Sequence, residues 1–195
     1  DLDAQAVSSK STHFKPEAEA KGKSRQEKLL KLFGDNEWVT TFFAENTFEV
    51  QFASESENHV FLEAIIDTHY VQDAAKKKHK ENLKGPIDQR ADTVLTLANS
   101  IGKGWFATLL ASKVDCRVQI PLYILRAIMF ACKEILTEDI MHKMVVYSLG
   151  EYKATEDIEM LKRAIETTAK ADIIEEFCNY YPDDIVSKFL ALRAE

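Results

Sequence analysis

The sequence predicts an α/β fold in its front third, followed by an all-helical remainder. Two segments indicate strands: residues 38–43 combine β-branched and aromatic side chains, and residues 47–52 alternate strictly in polarity. From residue 54 onward, apolar residues recur at helical spacing between Gly and Pro breakers. We therefore expect a strand-bearing domain over residues 1–115 and a helical region over residues 116–195.

The chain before the first expected strand is polar. Residues 4–23 are rich in Ser, Lys, Ala and Glu without periodicity, which indicates a long loop. The segment Ser24-Arg25-Gln26-Glu27 has the form of a capping box, so we expect a short amphipathic helix from there to Gly34.

The two expected strands have different patterns. Residues 38–43 are apolar enough for a buried strand. In the second, Phe48, Val50 and Phe52 would share one face. Thr47 and Glu49 would then share the opposite face, because alternate residues of a strand point the same way.

The remainder carries helical stripes throughout. Gly85-Pro86, Gly102-Lys103-Gly104 and Pro121 interrupt them. The expected helices cover residues 54–71, 91–101, a segment from about 105, 121–135, 138–149, 156–170 and 172–193, the last one broken at Tyr181-Pro182.

Composition narrows the class of protein. At 195 residues with 46% hydrophobic and 29% charged residues, the chain is typical of a soluble globular protein, and no apolar run is long enough to span a bilayer. Its three cysteines are odd in number and widely spaced, which favours a reducing cytoplasm over a disulfide framework. The net charge of −7 argues mildly against nucleic-acid binding.

Two basic segments soften that argument. Residues 10–31 carry seven Lys or Arg against three Glu, and residues 76–90 carry six against two acids. Solvated faces are the ordinary explanation for such runs. The second window contains Lys76, Lys77, Lys78 and Lys80, which we expect to contact a nucleic-acid backbone if the protein binds one.

The N-terminal tripeptide Asp1-Leu2-Asp3 places two carboxylates one residue apart. In an extended segment both would face one spot, where their repulsion is relieved by a cation. A hard divalent ion with oxygen ligands, Mg²⁺ or Mn²⁺, suits such a pair.

Three further groups complete a possible phosphodiesterase site. Thr47 and Glu49 would add a hydroxyl and a carboxylate to the metal ligands, and Lys103 stands between two glycines before a helix. Metal-bound carboxylates polarise a phosphate and activate water, while a nearby cation stabilises the charge that develops there. Alternatively, Thr47 and Glu49 form the wet face of an edge strand and Lys103 lies in an ordinary turn.

These segments resemble the Toprim nuclease domain of OLD-family (overcoming lysogenization defect) ATP-dependent endonucleases, which include Gabija and retron-associated nucleases. The resemblance covers about residues 1–131. It rests on Asp1-Leu2-Asp3, on Glu45-Asn46-Thr47-Phe48-Glu49-Val50, on Gly102-Lys103-Gly104-Trp105-Phe106-Ala107, and on Ile120-Pro121-Leu122-Tyr123-Ile124-Leu125-Arg126-Ala127-Ile128.

The resemblance implies a Rossmann-like Toprim fold followed by a helical extension. It also implies that Asp1, Asp3, Thr47 and Glu49 bind Mg²⁺ or Mn²⁺, and that Lys103 assists cleavage at the phosphate. ATP would act only through an upstream ATPase domain, which would also assemble a homodimer or higher oligomer. The implied activity is cytoplasmic cleavage of DNA in anti-phage defence, with a defence-system protein or nucleic acid as a possible further partner.

The chain departs from the family in two places. In the family, a strand carrying a catalytic glutamate precedes the DxD, so the resemblance implies that residues 1–115 lack the first strand of the domain. Residues 132–195 resemble no part of the family that we recognise.

Two other functions remain open. The chain is alternatively a non-enzymatic helical interaction or regulatory domain, in which the apolar stripe of 121–135 or of 172–193 forms an interface. A Toprim domain performing other phosphoryl chemistry, as in primases or topoisomerases, is the third possibility.

Overall fold

The computed structural model describes residues 15–34, 36, 38–115 and 117–194. These residues form helices and connecting segments and contain no β-strand, so the predicted α/β, Rossmann-like Toprim fold is wrong for them. The α-helices are α1 (Lys15–Phe33), α2 (Phe48–Ser54), α3 (His59–His69), α4 (Asp73–Leu83), α5 (Ile87–Ile101), α6 (Lys103–Ala111), α7 (Leu122–Cys132), α8 (Glu138–Glu151), α9 (Glu156–Ala164), α10 (Lys170–Tyr180) and α11 (Ile185–Ala191).

The chain divides into two compact units, residues 1–123 and 124–195. The division falls inside α7, later than residue 115, where the sequence pattern placed the domain boundary. Among the described residues, none of the helices has the length and apolar character that crossing a membrane requires.

The first unit is built around α5. This helix packs against α2, α4 and α6, and α3 packs against α4 and α6. Fully buried side chains from four helices form the core, because each presents an apolar stripe to its neighbours. They include Val50 from α2, Leu62, Ile65 and Ile66 from α3, Val94, Leu97 and Ala98 from α5, and Phe106 from α6.

The second expected strand is the helix α2. Its alternating pattern also satisfies a helix, because Phe48 and Phe52 lie one turn apart and their ring centroids are 5.8 Å from each other. Arg90 of α5 completes the end of the helix: its guanidinium donates to the carbonyls of Ala53 and Ser54 at 3.4 and 3.3 Å. These tertiary contacts decide the outcome for a segment too short to choose by itself.

The first expected strand is an irregular segment. The side-chain oxygen of Asn36 accepts hydrogen bonds from the backbone N–H groups of Trp38 and Val39, which is a local turn. Trp38 is 88% exposed, so a buried strand is also excluded by its environment.

The helix α1 begins earlier than its capping box. Residues 15–23 are helical, so the expected loop over 4–23 is wrong for this part, and its remaining residues lie outside the described ones. Ser24 occupies the helix interior rather than its start.

The second unit is helical, as predicted from sequence. Its helices pack around α8 and α10, with Val145, Leu149, Leu161, Ile173 and Phe177 in the core. The starts of α8 and α9 follow the same pattern, Thr-Glu-Asp, with the threonine hydroxyl accepting from a backbone N–H. The predicted break at Tyr181-Pro182 separates α10 from α11.

Candidate functional site

The first turn of α2 carries two of the predicted metal ligands. Thr47 is its N-cap residue, yet its hydroxyl makes no capping bond. The side chain is buried, with 8% of the residue exposed, and Oγ1 has no hydrogen-bond partner among the described residues. Because an unsatisfied buried hydroxyl costs free energy, it marks a place where a ligand or water would be stabilised.

Glu49 follows Thr47 on the same turn. Its side chain is 12% exposed. In a helix, residues two apart diverge by about 200° around the axis, so Thr47 and Glu49 do not share one face as the strand prediction required. Both nevertheless lie at the N-terminal end of α2, because one is the cap and the other the second helical residue.

Lys103 begins α6 directly after a glycine turn. Gly102 has φ 90°, which favours glycine, and its carbonyl accepts from the N–H of Phe106 at 2.8 Å. Phe106 is 1% exposed and anchors the helix in the core. Lys103 is thereby held at the edge of the first unit, with 59% of its side chain exposed.

The fold brings Glu49 and Lys103 together. Nζ of Lys103 lies 3.9 Å from Oε1 of Glu49. An exposed ion pair at this distance contributes under about 1 kcal/mol to stability, so it explains little of the fold. The ammonium is therefore available to exchange the carboxylate for another anion.

A third group, Tyr123, lies close enough to sense the same carboxylate. Burial, and then the negative charge of Glu49, raise the pKa of the Tyr123 phenol. The sequence analysis gave this tyrosine no role, although it stands in the Ile-Pro-Leu-Tyr segment quoted above. A phenol that stays protonated can donate a hydrogen bond to a carboxylate or a phosphate.

Asn58 fixes the segment that leads to Tyr123. This fully buried residue donates through Nδ2 to the carbonyls of Phe52 and Gln119, at 3.0 and 2.8 Å. Its Oδ1 accepts from the N–H of Gln119 at 2.8 Å. The chain before α7 is thus pinned to the C-terminal half of α2, the helix that carries Glu49.

The predicted metal site is described only in part. Asp1 and Asp3 lie outside the described residues. Within the described ranges, no three His, Cys, Asp or Glu side chains are grouped so as to hold a metal ion. The buried hydroxyl of Thr47 and the carboxylate of Glu49 are oxygen donors that suit Mg²⁺ or Mn²⁺, but they do not form a complete site without further ligands.

The predicted DNA-contacting lysines other than Lys103 lie on α4. Two are paired with acids: Lys80 contacts Asp67 at 2.7 Å and Lys77 contacts Glu81 at 4.0 Å. Lys76 and Lys78 make no ion pair within the described part of the chain. The basic run therefore presents fewer free cations than its sequence indicates.

His79, inside the same run, has a structural contact. Its ring stacks on that of Tyr70 with centroids 4.5 Å apart, which ties α4 to the end of α3. Burial, together with the charge of Lys78, lowers the pKa of His79.

No protein-family model, curated protein or solved structure matches this chain. The function is therefore argued from the residues of the site.

Proposed function

We propose that this chain belongs to a metal-dependent DNA endonuclease of the OLD type. The observation that carries the proposal is the 3.9 Å approach of Glu49 to Lys103, two residues that the sequence analysis assigned to one site. They meet although the strand that was expected to present Glu49 is a helix. The unpaired, buried hydroxyl of Thr47 on the same turn supports a ligand there.

In this proposal, Asp1, Asp3 and Glu49, with Thr47, hold Mg²⁺ or Mn²⁺. When bound, the metal supplies polarisation of the phosphate and activation of water. Lys103 contacts the phosphate through its exposed ammonium and stabilises the charge that moves to the leaving oxygen. Glu49 holds that ammonium at the site before DNA binds.

The cellular setting belongs to the same proposal and comes from the resemblance. ATP use and assembly into a dimer or larger oligomer would reside in an ATPase domain outside these 195 residues. A cytoplasmic location fits the odd, widely spaced cysteines, and defence against phage would be the biological role.

The test is plasmid nicking by the full-length protein in Mg²⁺ or Mn²⁺. Lys103→Ala should slow nicking about a hundredfold or more, which is the size of effect expected when one charge-stabilising donor is lost. Asp3→Ala and Glu49→Gln should abolish the dependence on metal concentration. Lys113→Ala is the matched control, since it removes an exposed lysine from the turn after α6. Undiminished nicking by both Lys103→Ala and Asp3→Ala would reject the proposal.

A helical interaction domain is the second candidate, favoured by a cleft in the second unit. Met141, Ile174 and Leu190 line it, with Cys178 among them and Arg193 at its edge. Calorimetry with Mn²⁺ separates the two candidates: heat of binding that Glu49→Gln removes supports the nuclease, and its absence supports the interaction domain.

A further inference from the structure

Two adjacent aromatic residues of α6 have opposite environments. Phe106 is buried in the core of the first unit, whereas Trp105 is 64% exposed. No ring of the described chain stacks on Trp105. A tryptophan at the surface leaves a large apolar face in water, so its exposure favours a contact with another molecule.

The surroundings of Trp105 leave room for such a contact. A Cβ added at Gly102 or at Gly104 would meet no atom within 4 Å, so the backbone beside the ring is open. Lys103 lies between these glycines with 59% of its side chain exposed. The side chain of Glu49 is only 12% exposed, so the accessible charge next to the ring is positive.

We propose that Trp105 is a stacking platform for a nucleobase of the DNA strand whose phosphate Lys103 contacts. This inference rests on the proposed function and adds a substrate class to it: single-stranded or locally opened DNA. A base inside a duplex is already stacked on its neighbours, so only an unpaired base can offer its face to the ring.

The spacing of the two side chains fits one nucleotide strand. In a helix, the Cα atoms of residues two apart are about 5.4 Å from each other, and the side chains diverge by about 200°. A strand crossing the first turn of α6 would therefore place its phosphate on one side and its base on the other. Because every base has a π face, this contact would tolerate any sequence.

Fluorescence tests the contact without requiring catalysis. The chain holds two tryptophans, Trp38 and Trp105, and both are exposed. In Trp38→Phe the emission comes from Trp105 alone, and a single-stranded oligo(dT) added in EDTA should quench it. In Trp105→Phe the emission comes from Trp38, and the same oligonucleotide should leave it unchanged.

Affinity gives the second measurement. Trp105→Ala should weaken oligo(dT) binding roughly 5- to 150-fold, the range for loss of one stacked base. Trp38→Ala, the matched control, should bind like the wild type. Since most of Trp105 is exposed, thermal unfolding should be unchanged in Trp105→Ala, which separates loss of contact from loss of fold.

Equal affinities of Trp105→Ala and wild type would overturn the inference, and so would wild-type protein that binds duplex more tightly than single strand. A wild type that binds no DNA would overturn it as well. Metal-dependent nicking that Lys103→Ala abolishes would keep the proposed function in each of these cases, so the two can fail separately.

Discussion

Replacing Asn58 should destabilise the first unit and displace Tyr123 from Glu49. Asn58 is fully buried and makes three hydrogen bonds of 2.8–3.0 Å, which join α2 to the segment before α7. Each such bond contributes about 1 kcal/mol, and the groups that lose their partner keep a desolvation cost. We therefore expect Asn58→Ala to lower the free energy of unfolding by about 3 kcal/mol.

Asn58→Asp separates the role of the donated bonds from that of the side-chain volume. The carboxylate can still accept from the N–H of Gln119, but it faces the carbonyl oxygens of Phe52 and Gln119 without a proton to donate. At neutral pH we expect a larger loss of stability than in Asn58→Ala. Acidification should narrow the difference, because a protonated Asp regains one donor.

Urea unfolding followed by tryptophan fluorescence is the assay. Both tryptophans lie before residue 123, so their emission reports on the first unit alone. Exchange of the Gln119 amide hydrogen should accelerate in the variants, because that N–H loses its acceptor. Asn179→Ala on the exposed surface of α10 is the matched control and should change stability by under about 0.5 kcal/mol.

The reasoning would be refuted by an Asn58→Ala protein whose unfolding midpoint and slope match those of the wild type. A change in slope alone would point instead to the unfolded state. A stable variant in which the Tyr123 phenol also titrates normally would show that Asn58 does not hold the segment before α7.

Two further predictions concern Lys103 and its basic neighbours. Gly102→Ala should cost about 1–3 kcal/mol, because φ is 90° there, whereas Gly104→Ala inside the helix should gain about 0.5–1 kcal/mol; thermal unfolding of the pair measures both, and equal effects would contradict a conformational cause. The pKa of His79 is lowered by burial, so as pH falls below about 6.5 the unfolded chain binds the proton first and stability is lost progressively. His79→Phe should keep the stack on Tyr70 and remove this part of the pH dependence, and an NMR titration of His79 at or above the ordinary histidine pKa would contradict it.

The sequence predicted most of the helices and half of the described site. Periodic apolar residues, bounded by Gly102, Pro121 and the Thr-Glu-Asp caps, placed α5 to α11 near their observed positions, because local pattern and tertiary packing agree there. Residues 47–52 were misassigned since six alternating residues also fit a helix with Phe48 and Phe52 one turn apart. The contact that decides between them, from Arg90, comes from α5 and leaves no local signal.

The pairing of Glu49 with Lys103 was predicted for partly wrong structural reasons. It was expected from a strand face beside a glycine turn, and it arises between the first turns of two helices. Tyr123 was missed because its position depends on Asn58, which binds Gln119 across 61 residues of sequence. Such a long-range hydrogen bond between polar residues has no periodicity by which a single sequence would reveal it.

The helical form of α2 changes what the metal hypothesis requires. On a strand, Thr47 and Glu49 would have presented two ligands on one face. On a helix they diverge, and the only described group close to the Glu49 carboxylate oxygen at ion-pair distance is the Lys103 ammonium, which itself repels a cation. A divalent ion could bind Glu49 only if Lys103 moved to an anion, and a DNA phosphate is such an anion. Metal affinity should therefore be weak in the free protein and rise when an oligonucleotide carrying a non-cleavable phosphorothioate is present. Calorimetry with Mn²⁺ measures this coupling, and Lys103→Gln, which removes the charge, should strengthen metal binding without DNA; unchanged affinity in that variant would contradict a shared site.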